Sequence, residues 1–339
     1  MDKIAFISNE SFYYWSQIIL TMASITGILL FLGFYLKKSG NALAAVLTVP
    51  VAIALSMVLG RLTHWYSNAN SYAGFTAAMG SYSSGAYALY GAFFGCIISA
   101  CILRLLRISK NIWEMFDSMA LAGAGAIAVG RMSSLFDTTD RGVLVEGVRH
   151  LPIVYPVSNP VTGVVEYRLA TFMLQAIAAG VLFAVLTFFW FYAGSKRRSR
   201  KLRDGDVALM FLLVYGATQI VLDSTRYDSL FMRSNGFISI VQIVAAVAVV
   251  VPMVLFSIRM VKAMGFRGWH IAFWVGMLAS LGGAGYMEYH VQRHGDQAVF
   301  AYSVMSACLT LGVLITLTVR LLAVVHEQPA KNAKTGKKK

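Results

Sequence analysis

Long apolar runs recur from one end of this chain to the other, and a helix needs roughly 20 apolar residues to cross a hydrocarbon core of about 30 Å. The runs stand near 16–36, 42–62, 86–106, 114–130, 169–193, 206–222, 237–261, 271–287 and 298–322. In lipid every backbone N–H and C=O must find its partner within the protein, so runs of this kind become helices packed into a bundle. With 58% hydrophobic and only 13% charged residues, the chain is more apolar than a soluble domain. The expectation is an all-α polytopic membrane protein of about nine transmembrane helices.

The distribution of basic residues sets an expected orientation. Most of the 29 Lys and Arg fall in alternate connections: Lys37 and Lys38, Arg104 to Lys110, Lys196 to Arg203, Arg259 to Arg267, and Arg320 with the lysine-rich tail. The positive-inside rule then places the N-terminus outside and the C-terminus in the cytoplasm. The formal charge of +14 is mainly this topology signal and a match to anionic inner-leaflet lipid, so no nucleic-acid partner is expected. The remaining basic residues, Lys3, Arg61, Arg131, Arg141, Arg149, Arg168, Arg226, Arg233 and Arg293, fall on the outer side and are almost all arginine. A planar guanidinium suits phosphate or carboxylate, so the outer face is expected to hold an anion.

Other signals are weaker. Cys96, Cys101 and Cys308 lie inside apolar runs without metal-ligand spacing and read as packing residues. LAGAGAIAVGR resembles a dinucleotide fingerprint but has no preceding strand, so its small residues read as helix-packing positions. His290 and His294 are four apart with no third ligand and read as solvated loop histidines. No metal and no cofactor is expected, and no phosphate-binding glycine-lysine loop indicates ATP-driven work. The N-terminus has no basic n-region or small-residue cleavage site before its apolar run, so no cleaved signal peptide is expected, and its aromatics suit an interfacial anchor. A transporter would need paired half-helices or an internal duplication, and neither is visible.

The polar residues within the spans carry the functional reading. In YGATQIVLDSTRYD (215–228), Gln219, Asp223 and Arg226 are four and three apart, on one helical face. Arg61 and Arg131 end other spans at the same expected depth, where ionisable groups usually face the bundle interior. An anion reached from lipid at headgroup level is most simply a phospholipid phosphate, and two guanidinium groups would also stabilise it as a leaving group.

Several ordered motifs over about 16–262 then resemble the prolipoprotein diacylglyceryl transferase family. They are GRLTHWY at 60–66, GAYALYGAFFG at 85–95, GRMSSLFD at 130–137, YRLATFMLQ at 167–175, YGATQIVLDSTR at 215–226 and NGFISIVQ at 235–242. The family's span histidine falls at Tyr90, followed by Gly91. Its signature asparagine falls at Ser134 and its glutamate near Thr139. The acid of the following span falls at Gln175, and the first arginine of the YG segment at Gln219. Arg131, Arg168 and Arg226 keep the family residue, Asp223 stands for a glutamate, and Ser239 and Gln242 match Ser-x-Gly-Gln.

The resemblance implies transfer of a diacylglyceryl group from phosphatidylglycerol to the lipobox cysteine of a prolipoprotein signal peptide, in the bacterial plasma membrane. Arg131, Arg226, Tyr90 and His64 are then the expected catalytic residues. Arg61, Gly91, Ser134, Arg168, Gln219, Asp223 and Gln242 are expected to bind substrate. His64 is the nearest group to accept the thiol proton, since a tyrosine with an ordinary pKa of about 10 is a poor base. The replaced motif residues leave open a protein that binds an outer-leaflet phospholipid, or uses another acceptor, without this activity. The expected organisation is an outer interfacial segment over 1–15 and a seven-helix family-like domain over 16–262 with outer loops 63–85 and 132–168. Two added helices within 263–325 and a basic cytoplasmic tail over 326–339 follow.

Overall fold

The computed structural model describes residues 3–8, 11–69, 72–80, 87–137, 140–145, 153–158, 163–194, 203–226, 231–232, 235–294 and 297–336. Arg149, Arg233 and Thr139, singled out above, lie outside them. The described chain is dominated by ten α-helices: α1 (Trp15–Ser39), α2 (Ala42–Ser67), the short α3 (Phe75–Gly80), α4 (Leu89–Leu105), α5 (Ile112–Gly130), α6 (Thr171–Gly194), α7 (Asp206–Ser224), α8 (Ile240–Met264), α9 (His270–His294) and α10 (Ala298–Gly336). A 3₁₀ turn over Arg131–Leu135 continues α5. Seven of these, α1, α2, α5 with its 3₁₀ extension, α6, α7, α8 and α10, are long and apolar enough to cross a membrane, and α4 is an apolar helix of shorter length. The protein is a multi-pass membrane protein.

Among the described residues three antiparallel hairpins accompany the helices, which the helical pattern did not foretell: β1 (Ile4–Ser8) with β2 (Ser11–Tyr14) ahead of α1, β3 (Val154–Ser158) with β4 (Val165–Leu169), and β5 (Phe231–Met232) with β6 (Asn235–Ser239). Helix boundaries have local causes. Gly40 ends α1 in the left-handed conformation at φ 66°, its N–H returning to the Leu36 carbonyl. Asn41 and Asn111 accept from backbone N–H groups at the starts of α2 and α5, and Ser239 with Gln242 forms a reciprocal capping box on α8.

Within lipid, helix association depends on close packing and polar contacts rather than on burial from water. α2 and α4 show the close packing. A side chain at Gly91 would come within 2.7 Å of the Gly60 Cα, and one at Gly95 within 2.6 Å of the Ser56 Cα. In the other half of the bundle α5, α6 and α7 pack against one another, α8 lies along α7, and α10 runs between α9 and the α7–α8 pair.

Polar contacts fix both ends of α7. At its start, Asp117 of α5 accepts from the backbone N–H groups of Gly205 and Ala208, both at 2.9 Å, and pairs with Lys38 of α1 at 3.0 Å. Asp206 pairs with Arg259 of α8 at 2.6 Å and Arg320 of α10 at 2.8 Å. At its far end, the Tyr302 hydroxyl of α10 donates to the Ser224 carbonyl at 3.2 Å.

Candidate functional site

The far end of α7 meets the segment that follows α5. Val143 N–H donates to the Thr225 carbonyl at 2.9 Å, and Gly142 N–H to the Leu169 carbonyl at 2.8 Å. Residues 142–145 are thus laced between β4 and the end of α7, with isolated bridges pairing Gly142 with Arg226 and Leu144 with Arg168. Arg141 holds this turn from beneath. It is 1% exposed, stacks over Tyr155 and Phe172 at 4.0 and 4.6 Å, and donates to the carbonyls of Ser134 and Asp137. Although its sequence position places it among the outward arginines, its surroundings make Arg141 a strut of the turn.

That turn delivers a carboxylate to two arginines. Asp140 lies in the left-handed region at φ 58°, which aspartate tolerates better than most residues. Its Oδ2 takes Arg131 Nη1 at 2.6 Å and the Ser134 hydroxyl at 3.2 Å, while its Oδ1 takes Arg226 Nη2 at 2.9 Å. Arg226 reaches back to Asp223 at 3.4 Å, and Asp223 accepts from the Ser239 hydroxyl. Two guanidinium groups, one from the 3₁₀ turn after α5 and one just past the end of α7, therefore share one oxyanion, one oxygen each. Burial works to raise the Asp140 pKa, but Arg131 and Arg226 outweigh it and hold the carboxyl below its ordinary range, so the group is anionic at neutral pH.

Around this centre lie buried polar atoms. Gln219 Nε2 and Gln175 Oε1 make no hydrogen bond among the described residues, and the Tyr215 hydroxyl lies beside the Arg131 guanidinium. Gln175 does donate to Gln219 Oε1 at 3.1 Å, linking α6 to α7. A buried polar atom left unmatched costs roughly 1–3 kcal/mol, a cost that a ligand's hydrogen bond would offset.

The expected site residues fall into two groups. Arg131, Ser134, Asp223 and Arg226 converge through Asp140, with Gln219 on the same α7 face. Arg168 is tied to Glu166 at 2.7 Å and points to the Gly142 carbonyl at 3.5 Å, so it braces the turn. Gln242 is occupied by the α8 cap and by Glu288 of α9, at 2.8 Å.

The second group lies at the α2–α4 contact. Arg61 is 5% exposed, donates to the Ala78 carbonyl at 2.6 Å and packs against the rings of Tyr72 and Tyr87. His64 sits on α2, half-buried, against the Tyr72 hydroxyl at 3.1 Å and Asn68; the sequence reading had put it in a loop beyond the helix. The Tyr90 hydroxyl donates to the Thr63 carbonyl at 3.0 Å and lies 2.8 Å from the Ser67 hydroxyl. Gly91 is where α4 meets α2. Rings bridge α4 and α7: Phe93, one turn beyond Tyr90, stacks on Phe211 at 6.0 Å and lies 5.9 Å from Tyr215.

His290 and His294 also lie on a helix, the last turns of α9, with rings 5.1 Å apart. Among the described residues no group of three or more His, Cys, Asp or Glu is arranged to hold a metal. Asp140 is the main omission from the expected site. Its only signal was an acid one place beyond Thr139, where the family's glutamate was expected.

In a direct comparison the sequence profile of prolipoprotein diacylglyceryl transferase matches residues 5–258. The chain belongs to the prolipoprotein diacylglyceryl transferase family. It is similar to the phosphatidylglycerol–prolipoprotein diacylglyceryl transferases of Streptococcus pneumoniae strains Hungary19A-6 and JJA, with 27% identity over 173 residues in each case. The match covers 50% of this chain and 62% of each relative. Helices α9 and α10 lie beyond the family profile.

Proposed function

We propose that the chain transfers a diacylglyceryl group from phosphatidylglycerol to the lipobox cysteine thiol of a prolipoprotein, at the outer leaflet of a bacterial plasma membrane. The observation that carries this reading is the pair Arg131 and Arg226, two guanidinium groups converging on one oxyanion in a buried setting. A phosphodiester offers the same two-oxygen bridge and would share or take over the partners that Asp140 holds. As the cysteine sulfur forms its bond to the glycerol carbon, the carbon–oxygen bond to phosphate breaks and glycerol phosphate leaves with one more negative charge. Two arginines fixed in advance favour that added charge, an effect worth about 10²–10³ in rate for a single donor in comparable sites.

The other residues have derived roles. Asp223, held by Ser239, sets the Arg226 side chain; Ser134 sets Asp140; Gln175 and Gln219 offer unmatched amide atoms to the headgroup. Tyr90, committed to Thr63 and Ser67, is a positioning residue. His64 is left as the group to take the thiol proton, since the thiolate is the nucleophile and a free cysteine ionises near 8.5.

The test is mass spectrometry of a lipobox peptide incubated with the purified protein in phosphatidylglycerol liposomes. A diacylglyceryl mass shift on the cysteine, lost with Arg131→Ala, is the expected result. No shift, under conditions where a relative from Streptococcus pneumoniae works, would overturn it. A second reading draws on Asp140 itself: because a carboxylate already fills the arginine pair, the chain binds an outer-leaflet phospholipid, or serves another acceptor, without this transfer. Retention of bound phosphatidylglycerol without peptide modification would favour it.

A further inference from the structure

The two helices beyond the family profile contribute a buried carboxylate to the same end of the bundle. Glu288 of α9 is 6% exposed. Its Oε1 accepts from Gln242 Nε2 at 2.8 Å and Gln292 Nε2 at 3.0 Å, while its Oε2 has no partner, and among the described residues no cation pairs with it. Nearby, Ser224, also 6% exposed, has a hydroxyl without a partner. Tyr302 of α10 spans the gap: its hydroxyl donates to the Ser224 carbonyl and lies within electrostatic reach of Glu288. Gln242 leads from Glu288 to Ser239, Ser239 to Asp223, and Asp223 to Arg226. The unmatched acceptor and hydroxyl are therefore coupled to the arginine pair through side chains of α7 and α8.

A buried carboxyl oxygen with no donor calls for one, and it offers nothing to a second phosphate or carboxylate, which brings only further acceptors. A phospholipid whose phosphate rests on Arg131 and Arg226 carries a further headgroup beyond that phosphate, and common headgroups end in hydroxyl or ammonium donors. We propose that Glu288 and Ser224 form a subsite for this donor-bearing end, so that α9 and α10 make the chain selective for headgroups that donate hydrogen bonds. The inference rests on the arginine pair being the phosphate site.

The experiment is lipid binding to the purified full chain in detergent, measured by native mass spectrometry with three phosphodiesters of equal charge at phosphate: phosphatidylglycerol with hydroxyls, phosphatidylethanolamine with an ammonium, and phosphatidylmethanol with no donor. The expected result is an affinity about tenfold higher for at least one donor-bearing lipid than for phosphatidylmethanol, the size of one charge-assisted hydrogen bond. Whichever of the two binds more tightly identifies the donor. Glu288→Ala and Glu288→Gln should both bring the preferred lipid down to the phosphatidylmethanol value. Glu288→Gln keeps an oxygen for Gln242 and so separates loss of charge from loss of packing. Equal affinities for all three lipids in the unaltered protein, a preference that survives both variants, or a parallel loss of phosphatidylmethanol binding would overturn the proposal. Lipid binding that is indifferent to Arg131→Ala would instead remove the phosphate site, and the subsite with it.

Discussion

Helix α7 has a buried aspartate at each end, and the two have different surroundings. Asp206 has both oxygens engaged, by Arg259 on one and by Arg320 and the Arg203 backbone on the other, and its neighbour Asp117 is equally saturated. Asp223 is also paired, but Gln219 Nε2 one turn before it and the hydroxyl of the adjacent Ser224 are buried and without a hydrogen-bond partner among the described residues. Saturated polar groups fasten helices together, whereas unsaturated ones leave capacity for something from outside the chain. The charge at either end of α7 would look equally functional in a list of intramembrane acids. The polar atoms beside them separate them.

The sharpest way to break this contrast is Arg131→Ala, which is expected to lower the rate of peptide lipidation by about 10²–10³-fold or more, read from initial rates in liposomes. If the variant instead fails to accumulate as folded protein, Arg131 belongs with the fasteners. Asp206→Asn is expected to do the reverse. Leaving Arg259 and Arg320 without their carboxylate costs about 3–5 kcal/mol of stability in thermal unfolding, while lipidation per folded molecule stays unchanged. A rate loss as deep as that of Arg131→Ala would end the distinction.

A pH series sharpens it further. The folded Asp140 pKa lies below its unfolded value, so its stabilisation is complete above about 3.9 and is lost only as pH falls through the lower folded value. Between pH 5 and 8 the stability curves of the unaltered protein and Asp140→Asn should run parallel; a divergence within that window would show that Asp140 titrates there. The smallest effect is expected from replacing Gln175 and Gln219 together with leucine. Removing both partners of a buried bond is close to neutral for stability, within about 1 kcal/mol, but should raise the KM for phosphatidylglycerol several-fold. A larger loss of stability would make the amide pair a fastener.

Much of this was legible beforehand. Apolar length located the long helices, and spacing put Gln219 and Asp223 on one face of α7, because both signals are local; Arg226 lies just past the helix end at Ser224. Helix ends were less legible: α2 runs on to Ser67 and α9 to His294, since a helix continues after its residues turn polar, while an apolar window stops there. Asp140 was missed because its position depends on a left-handed backbone residue and on Arg141 wedged between Tyr155 and Phe172, contacts that join residues far apart in the chain. Glu288 was missed for a related reason: its partner Gln242 lies 46 residues away on another helix.

Helix α10 grips α7 twice, through Arg320 on Asp206 and Tyr302 on Ser224. At 1.5 Å per residue, the 19 residues of α7 make a rod of about 28 Å, slightly shorter than a hydrocarbon core of about 30 Å. A rod clamped at both ends can neither slide nor stretch to meet a thicker bilayer; it has to tilt together with its clamp, or the lipid around it has to thin.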